Sequence, residues 1–527
     1  MTMSLEDKIG QMIGVGFAGT EPPDYLLEWL AEGRIGTVIL FARNVVSPEQ
    51  VARLTYACHA AAKYPLLICI DQEGGMVARL RDGFTESPGA MALSASGSTE
   101  LAERMSAVLA AEMRALGINW NLAPVVDVTY SIENPSVGTR SPGADPEQVR
   151  EVAIAQVRGF QRGGVVATAK HFPGLGNTPV DTHLALAVID GPLDYLWEND
   201  LKAFRGVVEA GVDVVMVSHV KFPALDPEHP ATLSRPIIQG LLRDEIGFQG
   251  VVCTDCMEMK AIASHYGPGE AAVLAALAGE DIILVSHTPA TQMAVYDALL
   301  DAARSGRLPL ERIDAAVERI QRLKARAVVP EKPQLDLIRQ PSHLKTAREA
   351  AETGLVLLKR GRGVFPLPPG KEGLTLIEFT SYLDSEVLEQ TGQSSFAARL
   401  RTIAPDVDAL ALPPDEISAL QRQAARDKAK RAGLLIVATR NAHLLPEQLR
   451  LAKELLGLGR PTILICLRNP YDAGLLREAD AVLCTLGDSA PSLDAAVSAL
   501  AGQATPRGRL PVPLPVPEGN SGATPAL

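Results

Sequence analysis

Along residues 1–330, short apolar runs alternate with stretches of helical periodicity. The runs are 9–17, 35–41, 65–70, 119–123, 165–169, 212–217, 250–254 and 281–285. Between them lie segments such as 100–116 and 271–278, where Ala, Leu and charged residues recur at helical spacing. Eight βα units over this length predict an α/β chain that begins with a (β/α)8 TIM-like barrel. Chemistry in such a barrel sits at the C-terminal ends of the strands, so reactive side chains should follow the runs. Asp71-Gln72-Glu73 follows the third, Asp127 the fourth, Lys170-His171 the fifth, Ser218-His219 the sixth, Asp255 the seventh and Ser286-His287 the eighth. Helix capping or loop satisfaction accounts for single cases, not for the set.

Ile313, Val317, Ile320 and Leu323 form one stripe and predict an amphipathic helix over 312–326. Proline-rich 328–341 reads as a linker. Alternation then resumes, with a helix from Leu344, strands over 354–359, 374–379, 434–439, 462–467 and 481–486, and a helix over 445–456. This predicts a second α/β sandwich domain with a largely parallel sheet. The expected boundaries are 1–327 for the barrel, 328–344 for the linker, 345–515 for the second domain and 516–527 for a flexible tail.

A chain of 527 residues exceeds what one core supports, in keeping with two domains. The net charge of −12 argues against nucleic acid or an anionic membrane as the main partner. No apolar run approaches the roughly 20 residues of a membrane span, and Met1 to Asp7 carries no feature of a secretory signal. A soluble, cytoplasmic protein is expected. The six cysteines are expected as buried free thiols. Cys253 and Cys256 have a redox or zinc spacing but no second pair, so neither metal nor cofactor is expected.

Displacement at an anomeric carbon needs an ionised carboxylate on one face and a proton donor on the other. Asp255, directly after the seventh run, suits the first role; its alternative is the N-cap of a following helix. The stretch from Lys170 to His183 holds two His, one Asp and one Lys among early Gly and Pro, and so reads as a loop. Asp181 against His183 would fix the imidazole tautomer and favour its charged form, a suitable acid near neutral pH. The alternative is a surface loop histidine. Asp71 can accept from adjacent sugar hydroxyls, Arg79, Arg140 and Lys170 can donate, and His171 can do either. His219, after the sixth run, joins this set as a sugar contact. For each arginine, a structural ion pair is an equal alternative.

Four blocks in chain order resemble glycoside hydrolase family 3, in its bacterial β-N-acetylglucosaminidase (β-N-acetylhexosaminidase) branch. They are Ile70 to Gly75 with Arg79-Leu80 and Gly83 to Thr85; Asn121 to Asp127 with Asn134 to Ser141; Lys170 to His183; and Gly250 to Ile262. The resemblance covers 1–330 strongly and 345–515 more weakly, through Arg468 to Asp472 and Gly508 to Val512. It implies a retaining double displacement, with Asp255 as nucleophile, His183 paired with Asp181 as acid/base, and sugar contacts from Asp71, Arg79, Arg140, Lys170 and His171. Asp-Thr-His at 181–183 is the feature that implies N-acetylglucosaminidase specificity. The sequence departs from the branch at Leu175, where a histidine is usual, at Asn177, where an aspartate is frequent, and at Met76, where an arginine is common.

The expected partner is a small carbohydrate, an N-acetylglucosaminide, in carbohydrate metabolism such as peptidoglycan recycling. Other outcomes are a phosphorylase using phosphate as acceptor, a β-glucosidase of the same family, or an inactive sugar-binding protein.

Overall fold

The computed structural model describes residues 3–178, 180–182, 184–361, 363–369, 372–380 and 395–516. Eight parallel strands form the first sheet: β1 Ile13–Val15, β2 Thr37–Leu40, β3 Leu67–Ile70, β4 Trp120–Asn121, β5 Val166–Phe172, β6 Val214–Val217, β7 Val251–Thr254 and β8 Ile283–Val285. Each pairs with its sequence neighbour, β8 also pairs with β1, and a parallel bridge from Cys253 to Ile282 joins β7 to β8. The sheet therefore closes on itself as the predicted (β/α)8 barrel. Its strands are buried throughout, and their largely apolar sequences follow from having barrel interior on one side and helices on the other.

Two expectations are corrected in this part of the chain. The run 9–17 is not one strand. Ser4 caps a helix over Leu5–Gln11, exchanging hydrogen bonds with Asp7, and β1 begins only at Ile13. A short helix and a short strand, both buried, merge into one apolar run. The fifth strand reaches Phe172, so Lys170 and His171 belong to its last turn of pleat and not to the loop after it.

Among the described residues, the second sheet has six strands in the order β9-β14-β13-β12-β10-β11, where β9 is Val356–Lys359, β10 Leu374–Phe379, β11 Asp408–Leu412, β12 Leu434–Thr439, β13 Thr462–Cys466 and β14 Ala481–Cys484. Only β9 runs antiparallel. Alternate residues feed two cores. Leu435, Val437, Leu464 and Cys466 face one layer; Leu434, Ile436, Ile463 and Ile465 face the other. β11 was not foreseen: it is a half-exposed edge strand, and its Asp-Ala-Leu-Ala-Leu has no β-branched or aromatic residue to mark a strand.

The two sheets belong to one packed molecule. Met91, Ala92 and Ala95 of the helix Ala90–Ala95 sit in the core layer of the second sheet. Backbone bonds run from Ala144 N–H to the Pro511 carbonyl and from Arg509 N–H to the Ala95 carbonyl, both 2.9 Å. The helix Pro341–Gly354 packs between the helices Thr99–Ala115 and Ala490–Leu500. Cys58, Cys69, Cys253, Cys466 and Cys484 are buried free thiols, and Cys256 is a half-buried one. No described helix is long and apolar enough to cross a membrane.

Candidate active site

The C-terminal ends of the barrel strands surround a pocket of about 260 Å³. Asp71, Arg79, Arg140, Lys170, His171 and Asp255 all line it, as does Thr182, the residue between Asp181 and His183. Asp181 is buried. His183 itself lies outside the described residues, as do 517–527 of the expected tail.

The floor is a buried charge network. Lys170 Nζ donates to Asp71 Oδ1 and lies against Glu73 Oε1, both at 2.7 Å. Arg140 grips Glu73 with two bonds of 2.9 and 2.8 Å and donates a third to the Ser136 carbonyl. Arg79 reaches Asp71 Oδ2 at 3.4 Å. Burial pushes the Asp71 and Glu73 carboxyls up, but the Lys170, Arg79 and Arg140 cations outweigh it and hold both below the usual carboxylate range. Lys170 shows the mirror image: burial lowers it, and Asp71 and Glu73 raise it further. The floor is therefore fully ionised at neutral pH and rich in fixed donors and acceptors.

The backbone that presents these groups is itself held. Asn121, at the end of β4, accepts from Gln72 N–H and donates to the Gln72 carbonyl, each at 3.0 Å, fixing the residue between Asp71 and Glu73. The Gln72 side chain closes the hairpin that carries Arg79, accepting from the Arg79 and Leu80 amides at 2.9 Å. Arg140 ends the short turn Gly138–Arg140.

On the next wall, Asp127 accepts from His171 Nδ1 at 2.7 Å and from the Leu175 amide at 2.7 Å. This leaves His171 Nε2 for a ligand. Asn134 donates to the Leu175 and Gly176 carbonyls, so the loop after β5 is pinned at its start. At Gly176 a Cβ would lie 1.7 Å from the Val128 carbonyl oxygen, so only glycine fits. Beneath this loop, burial and the neighbouring Asp127 charge push the Asp200 carboxyl up to about 8.

Asp255 stands at the end of β7, and its Oδ1 accepts from the Cys256 amide at 2.7 Å. It caps no helix: the next one, Lys260–Ala263, begins beyond Met259. Cys256 also lines the pocket, but burial pushes its thiol up to about 11, so it presents S–H and no thiolate at neutral pH. Asp255 is the carboxyl side chain that the end of β7 presents to this wall of the pocket. Among the described residues, no group of three His, Cys, Asp or Glu side chains could hold a metal ion.

A family model described as the glycosyl hydrolase family 3 N-terminal domain matches residues 4–323. The chain belongs to glycosyl hydrolase family 3. A beta-hexosaminidase of Stenotrophomonas maltophilia (strain K279a) is 41% identical over 293 residues, 54% of this chain and 86% of its own length. A beta-hexosaminidase A of Pseudoalteromonas piscicida is 32% identical over 451 residues, 80% of this chain and 73% of its own. The solved structure of a family 3 beta-N-acetylglucosaminidase from Paenibacillus sp. str. FPU-7 superposes with a TM-score of 0.91 at 36% identity, over 98% of this chain and all of that one. This family 3 chain is thus a glycoside hydrolase with a barrel and an α/β sandwich domain, as its motif blocks implied.

Within that frame, one sugar contact expected from sequence is placed elsewhere. His219 is fully buried and is not part of the pocket lining; its ring nitrogens meet Thr232 and the Cys256 carbonyl. Other residues of the site carry little signal in the sequence. Glu73 was visible after the third run, but its grip on Arg140 spans 67 positions and no local spacing signals it. Phe41, Glu258, Lys260 and His287 complete the pocket on the side of β2, β7 and β8. Glu258 accepts from the His287 amide at 2.6 Å, and the Phe41 and His287 rings lie 5.2 Å apart. Of these, only His287 had a signal, its place after the eighth run.

Proposed function

We propose that this enzyme is a retaining, exo-acting β-N-acetylglucosaminidase that removes terminal β-linked N-acetylglucosamine through a glycosyl-aspartate intermediate. The observation that carries the reading is one small pocket lined by Asp255, by the loop residue Thr182 and by the charged floor of Asp71 and Lys170. Asp255 attacks the anomeric carbon and forms an ester as the bond to the leaving oxygen breaks. His183, oriented by Asp181, gives that oxygen a proton. The same imidazole then takes a proton from water, whose oxygen attacks the anomeric carbon and frees Asp255. Asp71, Arg79, Lys170 and His171 bind the sugar hydroxyls. Arg140 contributes chiefly by holding Glu73. The relatives named as hexosaminidases, and the Paenibacillus beta-N-acetylglucosaminidase, support an amino sugar as substrate.

Residues 1–327 supply the chemistry in this reading, and 345–515 support it. The setting we infer is the cytoplasm, with imported cell-wall fragments as the source of substrate.

Turnover of aryl N-acetylglucosaminides tests it. Asp255→Ala should lose several orders of magnitude while still binding N-acetylglucosamine. His183→Ala should slow alkyl or sugar leaving groups far more than an activated phenol, which needs little protonation. Equal losses for good and poor leaving groups would remove His183 as the acid. Faster turnover of aryl glucosides than of aryl N-acetylglucosaminides would remove the assigned specificity.

A further inference from the structure

His219 follows β6 directly and is completely buried. A buried imidazole keeps both nitrogens bonded when it serves the structure, and here the partners are informative. Nε2 lies 2.9 Å from the Cys256 carbonyl oxygen. A carbonyl only accepts, so Nε2 carries a proton. Nδ1 meets Thr232 Oγ1 at 2.7 Å, and that hydroxyl in turn lies 2.8 Å from the Ser218 carbonyl. The ring therefore ties the end of β6 and the turn Ala231–Leu233 to the residue that follows Asp255.

Cys256 is consequently held along its whole backbone. Its amide donates to Asp255 Oδ1 at 2.7 Å and its carbonyl accepts from His219 at 2.9 Å. The Asp255 amide donates to the Val217 carbonyl of β6 at 3.3 Å. The carbonyl that His219 holds and the amide that Asp255 Oδ1 accepts from belong to successive peptides joined at the Cys256 Cα, so a shift of Cys256 carries the Asp255 carboxylate with it through that amide bond.

We infer that His219 is a positioning residue for the nucleophile: through the Cys256 carbonyl it sets the direction in which the Asp255 carboxylate faces the anomeric carbon. The inference rests on Asp255 being the nucleophile. It replaces the sugar-contact role expected from sequence. A displacement near 1 Å at the reacting atom costs about 100-fold in rate while leaving hydroxyl recognition at the pocket floor intact. Rate and binding should therefore separate.

The experiment follows covalent labelling by an activated 5-fluoro derivative of N-acetylglucosaminyl fluoride. An Asp255 oxygen bonds to the anomeric carbon as the C–F bond breaks and fluoride leaves with the electron pair. In the native enzyme the modified peptide should carry the label on Asp255. His219→Leu should label about 100-fold more slowly, with inhibition by N-acetylglucosamine unchanged. His219→Gln, whose amide can still donate to the Cys256 carbonyl, should recover about tenfold of that loss. Thr232→Val keeps the imidazole and removes its second partner, and should slow labelling by a smaller factor. This variant serves if His219→Leu does not fold. Native-rate labelling in a folded His219→Leu or Thr232→Val enzyme would overturn the inference, as would parallel losses of labelling and of N-acetylglucosamine binding. Label on a residue other than Asp255 in the native enzyme would instead overturn the nucleophile assignment, and this inference with it.

Discussion

At the scale of residues, the centre of the pocket floor is a set of four mutually dependent ions, with Arg79 reaching Asp71 at its edge. Asp71 and Glu73 share the Lys170 ammonium, and Arg140 completes Glu73. All four side chains are buried, so removing one leaves its partners uncompensated. Glu73→Ala is expected to cost about 3–5 kcal/mol in urea unfolding and to lower kcat/KM as well, since Arg140 and Lys170 lose their common anchor. The same ions set a pH dependence. Both carboxyls are held below their unfolded values, so their stabilisation is complete above about pH 4.5 and is lost as the pH falls through the folded values. Glu73→Gln should therefore flatten the acid limb of a stability-against-pH curve and narrow the gap to native protein at low pH. A variant with an unchanged acid limb would show that Glu73 is not part of the acid sensitivity.

At the scale of elements, the strand ends carry chemistry and the strand beginnings carry a liability. Glu280, just before β8, is fully buried, and neither of its carboxyl oxygens has a hydrogen-bond partner. Burial and the adjacent Asp281 push it well above the usual range, disfavouring its ionised form in the folded protein. An acid raised in this way loses stabilisation as pH climbs from its unfolded value, near about 4.3, towards its folded one. Glu280→Gln should raise the Tm at pH 8 and leave it unchanged at pH 4; a gain of equal size at both would tie the effect to packing. Elements were also where the sequence was most and least readable. Seven barrel strands announced themselves because a strand buried on both faces has few polar positions to interrupt it. The first was blurred by an adjoining capped helix, and β11 was hidden by its place at a sheet edge. In the site, Asp255 and Lys170 could be found because their neighbours along the chain are informative. Glu73 and the strap of His219 could not, because their meaning depends on partners 67 and 37 positions away.

At the scale of the molecule, the second domain reaches the pocket by supporting the loop that carries Arg140. The Asn469 side chain packs on Gly138, which adopts φ +43°, and a Cβ there would lie 2.8 Å from its amide atoms. The Pro511 carbonyl holds the Ala144 amide. Gly138→Ala should destabilise by about 1–3 kcal/mol and reduce kcat/KM by displacing Arg140. Adding Asn469→Ala should relieve part of both losses, and a strictly additive double variant would show that the two residues do not communicate. The pocket itself has a consequence for polymers. At about 260 Å³ it falls just below the range of about 300–1,000 Å³ typical of drug-sized ligands, and its floor is sealed by buried ions. Under the proposed exo-acting reading, a long chain would offer it only a terminus. A solution of such a polymer would keep its viscosity while monosaccharide accumulated, and blocking the last residue of each strand would protect all the linkages behind it.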